Sequence, residues 1–349
     1  MQTKSALLPI GIGLGAYCSA WSLNTFGLFQ PQDFALLQPA MHMAIAAGLY
    51  LNVAEINIRE VRRNLKVIAA VLFLGVPIKI LVPGLLLSPF LPIPVAMLCA
   101  TVIAQIDPIL AAKNINPKRF SPKAATLMRC WSSFDDPITV LFAFYLFLPQ
   151  FSVQAVSLPQ YFSNLGLEIY ASFLIYTISR LWKPLQQGWG AKLIIFATCI
   201  GSGIAGAFIT AGTLLLPASL GLYLRPFTNE KLKTAVLNLI FGFSAFVIGA
   251  LAANLDLHWR MGVALAMGTF FIAQPLVTML FFRDERNDVV RVMFGHQNGM
   301  TAILLTIALE LAIDDVQLLS ITLPAILAIA AFYTISNYIT DQLLAKAHH

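Results

Sequence analysis

Apolar residues run through this chain in long blocks, with short polar loops between them and no period-two alternation. About twelve blocks can be drawn, most long enough to cross the ~30 Å hydrocarbon core of a bilayer. They fall at 5–24, 34–53, 65–87, 92–112, 124–148, 160–182, 190–210, 212–225, 232–254, 260–282, 288–311 and 317–343, numbered here as segments one to twelve. Lipid offers no hydrogen-bond partners to an open backbone, so these segments are expected to be helices. The missing alternation argues against a barrel. The predicted class is an all-α polytopic membrane protein, one transmembrane domain over 1–349 without a soluble domain. Segments seven and eight are the least defined. Gly201, Gly203, Gly206, Gly212, Pro217 and Gly221 leave residues 190–225 readable as one broken span or two short ones.

Composition sharpens this class. With 58% hydrophobic and 11% charged residues and a mean hydropathy of +0.79, the chain lies outside the soluble range. The net charge of +6 is no nucleic-acid signature, because the basic residues sit in every second loop. The rich loops hold Arg59, Arg62, Arg63 and Lys66; Lys113, Lys118, Arg119 and Lys123; Arg180, Lys183 and Lys192; Arg225, Lys231 and Lys233; and Arg283, Arg286 and Arg291. Arg260 is the exception. By the positive-inside rule the rich loops are cytoplasmic, which places both termini inside and favours two spans within 190–225. Cys18, Cys99, Cys130 and Cys199 lie within segments at no metal-like spacing and read as small buried hydrophobes. Lys4 precedes a run too long for a signal-peptide core, so this run reads as the first helix.

Polar residues inside the apolar segments carry the chemistry. Asp107-Pro108 interrupts segment four, and Asp135-Asp136-Pro137 lies within segment five. A carboxylate at bilayer depth is costly and persists mostly where it faces a cavity and something charged. Proline before the end of segment four predicts local unwinding, which frees carbonyl oxygens at the negative end of a half-helix. Together these features describe a cation site. Adjacent carboxylates do not both ionise cheaply in a low dielectric. Consecutive helix positions project about 100° apart, so Asp135 and Asp136 are expected to face different neighbours. Ser132, Ser133 and Thr139 could add hydroxyl ligands.

The chain also resembles itself. Ala46-Ala47-Gly48-Leu49-Tyr50-Leu51-Asn52-Val53-Ala54-Glu55 ends segment two, and Val247-Ile248-Gly249-Ala250-Leu251-Ala252-Ala253-Asn254-Leu255-Asp256 ends segment nine. The same offset of about 200 residues carries the Asp107-Pro108 break to Gly295-His296-Gln297-Asn298-Gly299 in segment eleven. Segments two and nine are an odd number of helices apart, so the repeats, roughly 34–148 and 232–343, would insert with opposite topology. Inverted repeats with a matching break in each half mark secondary transporters.

On these residues the chain resembles the cation/proton antiporter superfamily, of the sodium/proton exchanger type. The resemblance rests on Ile106-Asp107-Pro108 in one helix and Asp135-Asp136 in the next. It extends to Phe246-Val247-Ile248-Gly249 with Asp256, to Leu216-Pro217-Ala218-Ser219-Leu220-Gly221, and to the break in segment eleven. It implies two discontinuous crossing helices in segments four and eleven, and exchange of Na⁺ or Li⁺, with K⁺ a further candidate, for protons by alternating access. The implied setting is a homodimer in the plasma (inner) membrane, with no cofactor and no enzymatic activity. Asp136 would be the main cation- and proton-carrying carboxylate, with Asp107 a second transient cation ligand that stabilises the crossover. Asp135 would occupy the position that varies between Asn and Asp, and Gln297 and Asn298 would face the site.

Several positions depart from the family. Ile106 replaces a threonine, Trp131 and Gln274 stand where an intramembrane Glu–Arg pair often occurs, and Asn298 replaces an arginine. Segment ten lacks the lysine of electrogenic members. Asp135 is therefore expected to be unpaired and able to take a second proton, which would make exchange electrogenic. Lys79, between Pro77 and Pro83, reads as paired or headgroup-bound. Arg129 could reach an acid or snorkel to the boundary. His296 is placed as a pH sensor or a hydrogen-bonded structural histidine. Glu168 and His42 have no assigned role. The alternative function is a sodium-coupled symporter of a small anion or organic solute. An intramembrane aspartyl protease is disfavoured, because Tyr-Asp and Gly-x-Gly-Asp patterns are missing.

Overall fold

The computed structural model describes residues 2–27, 34–54, 56, 58–107, 111, 120–151, 158–181, 188–208, 214–226, 230–252, 255–282, 286–296, 298–313 and 318–347. All regular structure among them is helical. The helices are α1 Gln2–Thr25, α2 Phe34–Ala54, α3 Leu65–Leu87, α4 Ile93–Ala104, α5 Pro122–Leu141, α6 Leu158–Leu181 and α7 Trp189–Phe208. They continue with α8 Leu215–Leu220, α9 Glu230–Ala252, α10 Trp259–Phe281, α11 Arg286–Met293, α12 Met300–Glu310 and α13 Leu318–Ala347. A short helical turn, Ile58–Arg63, precedes α3.

Each apolar segment of the sequence coincides with a helix, and segment eleven divides into α11 and α12. Four stretches are long and apolar enough to cross a bilayer among the described residues: Leu65–Leu87, Lys231–Leu251, Trp259–Phe281 and Leu318–Gln342. Residues such as Phe73 on α3 and Leu239 on α9 turn outward, as lipid-facing positions do. The chain is a multi-pass membrane protein. Segments seven and eight are two helices, but α8 has only 6 residues. At ~1.5 Å per residue it is far shorter than the bilayer core.

The chain forms two compact units, each assembled from three separate stretches. The first comprises Met1–Ala54, Val156–Asp256 and Ile303–Asp314. Within it α1 packs along α9, and α2 packs on α7 and α8. A side chain at Gly249 would collide with the backbone of Tyr17, so the α1–α9 contact depends on that glycine. A surface cavity of about 320 Å³ lies between α6 and α8. Its polar groups are mutually satisfied: Glu168 Oε2 accepts from the Leu216 amide at 2.8 Å, and Tyr223 donates to the Ser172 carbonyl at 2.8 Å. His42, in the same unit, is fully buried with Nδ1 3.0 Å from the Gln38 carbonyl.

The second unit comprises Glu55–Ala155, Leu257–Ala302 and Asp315–His349. Here α3 packs on α4 and α10, and α10 packs on α13. Three π turns lie in it, Val71–Gly75 within α3, Phe142–Phe147 directly after α5 and Gly268–Ala273 within α10. Each is followed closely by a proline, Pro77, Pro149 and Pro275 respectively. α5 starts cleanly, with Pro122 in its first turn and Ser121 Oγ accepting from the Ala124 amide at 3.2 Å. These are favoured start signals for a helix.

Candidate ion site

α4 ends at Ala104, and Gln105 leaves in an extended conformation (φ −62°, ψ 139°). A local cause is residue 108, a proline, which has no N–H to donate to the Ala104 carbonyl four positions back and steers Asp107 before it away from helical geometry. Pro108 itself lies outside the described residues. Segment eleven is interrupted as well, since α11 ends at Met293 and α12 begins at Met300. The second unit therefore contains both expected interruptions, and their residues touch.

Asp135 and Asp136 sit side by side on α5, both with no exposed surface. They face different partners, as their angular spacing requires. Asp135 Oδ2 lies 3.0 Å from Lys79 Nζ and accepts the Ile106 amide at 3.1 Å. Asp136 Oδ2 accepts from Thr301 Oγ1 at 2.9 Å, in the first turn of α12. One acid is thus tied to α3 and the unwound end of α4, the other to the second break.

The pairing of Asp135 corrects the sequence reading, which left that acid without a lysine. Segment ten has Gln274 and no lysine at its centre; the lysine comes instead from α3. Lys79 is fully buried, and its ammonium also lies 5.1 Å from the centre of the Trp131 ring. Trp131 in turn stacks on Phe282 at 5.5 Å. A lone lysine within an apolar run signals a partner, but linear spacing does not say which acid. Thr301 was missed altogether, and its position just after the Gly299 break was its only signal.

The breaks cap each other. His296 Nε2 lies 3.0 Å from the Ile103 carbonyl, to which it must donate. Asn298 Nδ2 donates to the carbonyls of Ile103 at 2.9 Å and Gln105 at 2.8 Å. The α4 carbonyl oxygens at Ile103 and Gln105, expected to be free for a cation, therefore accept side-chain hydrogen bonds. In the other direction, the carboxyl of Asp107 lies where a Cβ of residue 299 would be, so Gly299 is obligatory there. That puts a buried carboxylate one residue ahead of α12, against the positive end of a helix. The end of α11 is capped too, with Gln274 Nε2 3.1 Å from the Val292 carbonyl and Asn337 Nδ2 3.1 Å from that of Phe294.

The other sequence candidates fall as follows. Thr139 Oγ1 accepts from Gln105 Nε2 at 2.7 Å and lies 2.9 Å from the Asp135 carbonyl and 3.0 Å from that of Asp136. Ser132 donates back to the Arg129 carbonyl at 3.1 Å, and Ser133 is buried on the same helix. Arg129 is exposed. Gln297 lies outside the described residues. No cluster of three or more His, Cys, Asp or Glu side chains suited to a metal occurs among the described residues.

The fold is similar to that of the sodium proton antiporter of Methanocaldococcus jannaschii in two structures. The structure at pH 8 shares 17% identity, covers 93% of this chain and 88% of that one, and has a TM-score of 0.61. The other, from an electron-microscopy map, shares 15% identity, covers 99% and 98% respectively, and has a TM-score of 0.64. Both neighbours are transporters rather than enzymes. No protein-family model matches the chain, and no curated protein does.

Proposed function

We propose that this chain is a secondary active antiporter that exchanges a monovalent cation, Na⁺ or Li⁺ with K⁺ a further candidate, for protons. The observation that carries this reading is the division of labour between Asp135 and Asp136. Asp135 is committed to Lys79 and the Ile106 amide. Asp136 is the acid turned toward the second break, held there by the Thr301 hydroxyl. With Lys79 and Asp135 cancelling, the three side chains Lys79, Asp135 and Asp136 carry one net negative charge, which one proton or one monovalent cation neutralises. Competition for that charge is the chemistry of exchange, and it predicts one proton per cation. Asp107 offsets the positive end of α12 and is a second transient ligand when a cation enters. His296 serves as a structural donor to α4, which replaces a sensing role with a mechanical one.

The similarity in fold to a sodium proton antiporter supports the reading. So does the composition of the second unit, where α3, α4 and α5 meet α10, the break before α12 and α13. Segments three to five and ten to twelve belong to the stretches, roughly 34–148 and 232–343, that an inverted repeat would superpose, and the π turns of α3 and α10 with Pro77 and Pro275 fall at matching places. The two broken helices would cross at their mutual caps, and transport would proceed by alternating access. The loop charges favour cytoplasmic termini; the plasma (inner) membrane and a homodimer are the setting implied by the resemblance. The symporter alternative has less support, because the ammonium of Lys79, which could have anchored an anion, is engaged with Asp135.

The test is a proteoliposome assay that follows lumenal pH on addition of Na⁺, Li⁺ or K⁺. Wild type is expected to move protons against at least one of them. Proton flux that none of the three evokes would refute the proposal.

A further inference from the structure

Asn298 uses both amide hydrogens on α4, donating to the Ile103 and Gln105 carbonyls. The Ile103 oxygen also receives His296, so both of its lone pairs are occupied. Carbonyls near a helix end are ready acceptors because they lack intrahelical donors, and here two of them are withdrawn from any cation. Each engagement exposes something else. With Nδ2 fixed on α4, the oxygen on the other arm of the Asn298 amide is held in one direction. That oxygen, Oδ1, meets no donor among the described residues, although the side chain is only 8% exposed.

Gln105 repeats the arrangement. Its Nε2 is held by Thr139 Oγ1 at 2.7 Å, and its Oε1 meets no donor among the described residues while the side chain is 1% exposed. Asp135 is similar, with Oδ2 engaged twice and Oδ1 meeting no donor among the described residues. A buried acceptor left without a donor costs about 1–3 kcal/mol. A chain that holds two amide oxygens in this state at one helix end, with their nitrogens locked, has oriented them for something positive. Hard cations take such neutral oxygen ligands readily.

Building on the antiport reading, we propose that Asn298 Oδ1 and Gln105 Oε1 are ligands of the transported cation. They replace the α4 backbone carbonyls and set affinity and selectivity without altering the charge count. Being uncharged, they favour the cation over the proton at Asp136 through coordination alone. They also tune which cation fits, since two side-chain oxygens on separate breaks fix a gap that different ionic radii fill differently.

The test is thermal unfolding of the purified protein in detergent against increasing Na⁺, Li⁺ or K⁺, because a ligand that binds the folded state raises its melting temperature. Wild type is expected to be stabilised by at least one cation, and Asp136→Asn is expected to abolish that response. Gln105→Met and Asn298→Ala should each move the half-maximal concentration upward about tenfold, equivalent to about 1.4 kcal/mol, and change the order of the three cations. Asn298→Ser, which keeps a donor for α4 but has no amide oxygen, should behave as Asn298→Ala does and replaces it if the alanine variant does not fold. A purely structural role would lower the melting temperature without cation and leave the half-maximal concentrations and their order unchanged. That outcome overturns the inference alone. A wild type that no monovalent cation stabilises overturns the exchange reading and this inference with it.

Discussion

Lys79 and Asp135 form a fully buried ion pair, with Nζ 3.0 Å from Oδ2, that joins α3 to α5 beside the unwound end of α4. Removing one partner strands the other's charge in a low dielectric, which costs about 3–5 kcal/mol. Lys79→Met should therefore sharply lower the unfolding temperature in detergent and the yield of extractable protein. Replacing both members, as Lys79→Met with Asp135→Leu, should recover most of that loss, because a buried pair is often no better than an apolar substitute. Equal instability of the single and double variants would mean that the ammonium contributes through Trp131 rather than through Asp135.

Asp136→Asn should abolish cation-dependent proton flux while leaving a folded protein. The substitution keeps the shape and an acceptor oxygen for Thr301, so its effect on stability should stay within about 1 kcal/mol. Reconstituted vesicles give the answer: full flux in this variant removes Asp136 from the carrier role.

Charge movement follows from the Lys79 pair. If Lys79 and Asp135 stay paired through turnover, each cycle carries one cation one way and one proton the other. Solid-supported-membrane recordings of wild type should then show no sustained cation-evoked current, and exchange should not respond to an imposed potential. A steady current would instead mean that the pair opens and a second proton crosses.

Gly299→Ala places a methyl group on the Asp107 carboxyl. Overpacking of this kind typically costs about 1–3 kcal/mol, and here it also pushes a carboxylate off the start of α12. The variant should unfold at a lower temperature and exchange poorly. Adding Asp107→Gly should restore part of the stability but not the exchange. An unchanged melting temperature for Gly299→Ala would refute the close contact.

Much of this architecture was legible in the residues. Apolar block lengths gave the helices, and Asp107-Pro108 with Gly295 to Gly299 gave the two breaks, because proline and glycine act on the backbone locally. The acidic pair was legible for the same reason, since adjacent positions on a helix diverge whatever surrounds them. Partners were not. Nothing in the spacing of Lys79 and Asp135 says that α3 brings them together, and the engagement of the Ile103 and Gln105 carbonyls depends on a segment nearly two hundred positions away in the chain. The glycines of segments seven and eight left one broken span or two short ones open, and the region holds two helices, the second being the short α8, which Glu168 caps from α6.

The π turns of α3 and α10 make the helical phase itself part of the site. A π turn amounts to one residue inserted into an α-helix, and each residue advances the direction of a side chain by about 100°. Lys79 lies just beyond Val71–Gly75, and Gln274 directly follows Gly268–Ala273. Closing either turn into regular α geometry with all its residues kept would rotate everything downstream by that angle. Lys79 would swing off Asp135, and Gln274 off the Val292 carbonyl, though neither residue had been substituted. The chain thus stores the aim of two buried polar side chains in the place where each helix takes up its extra residue.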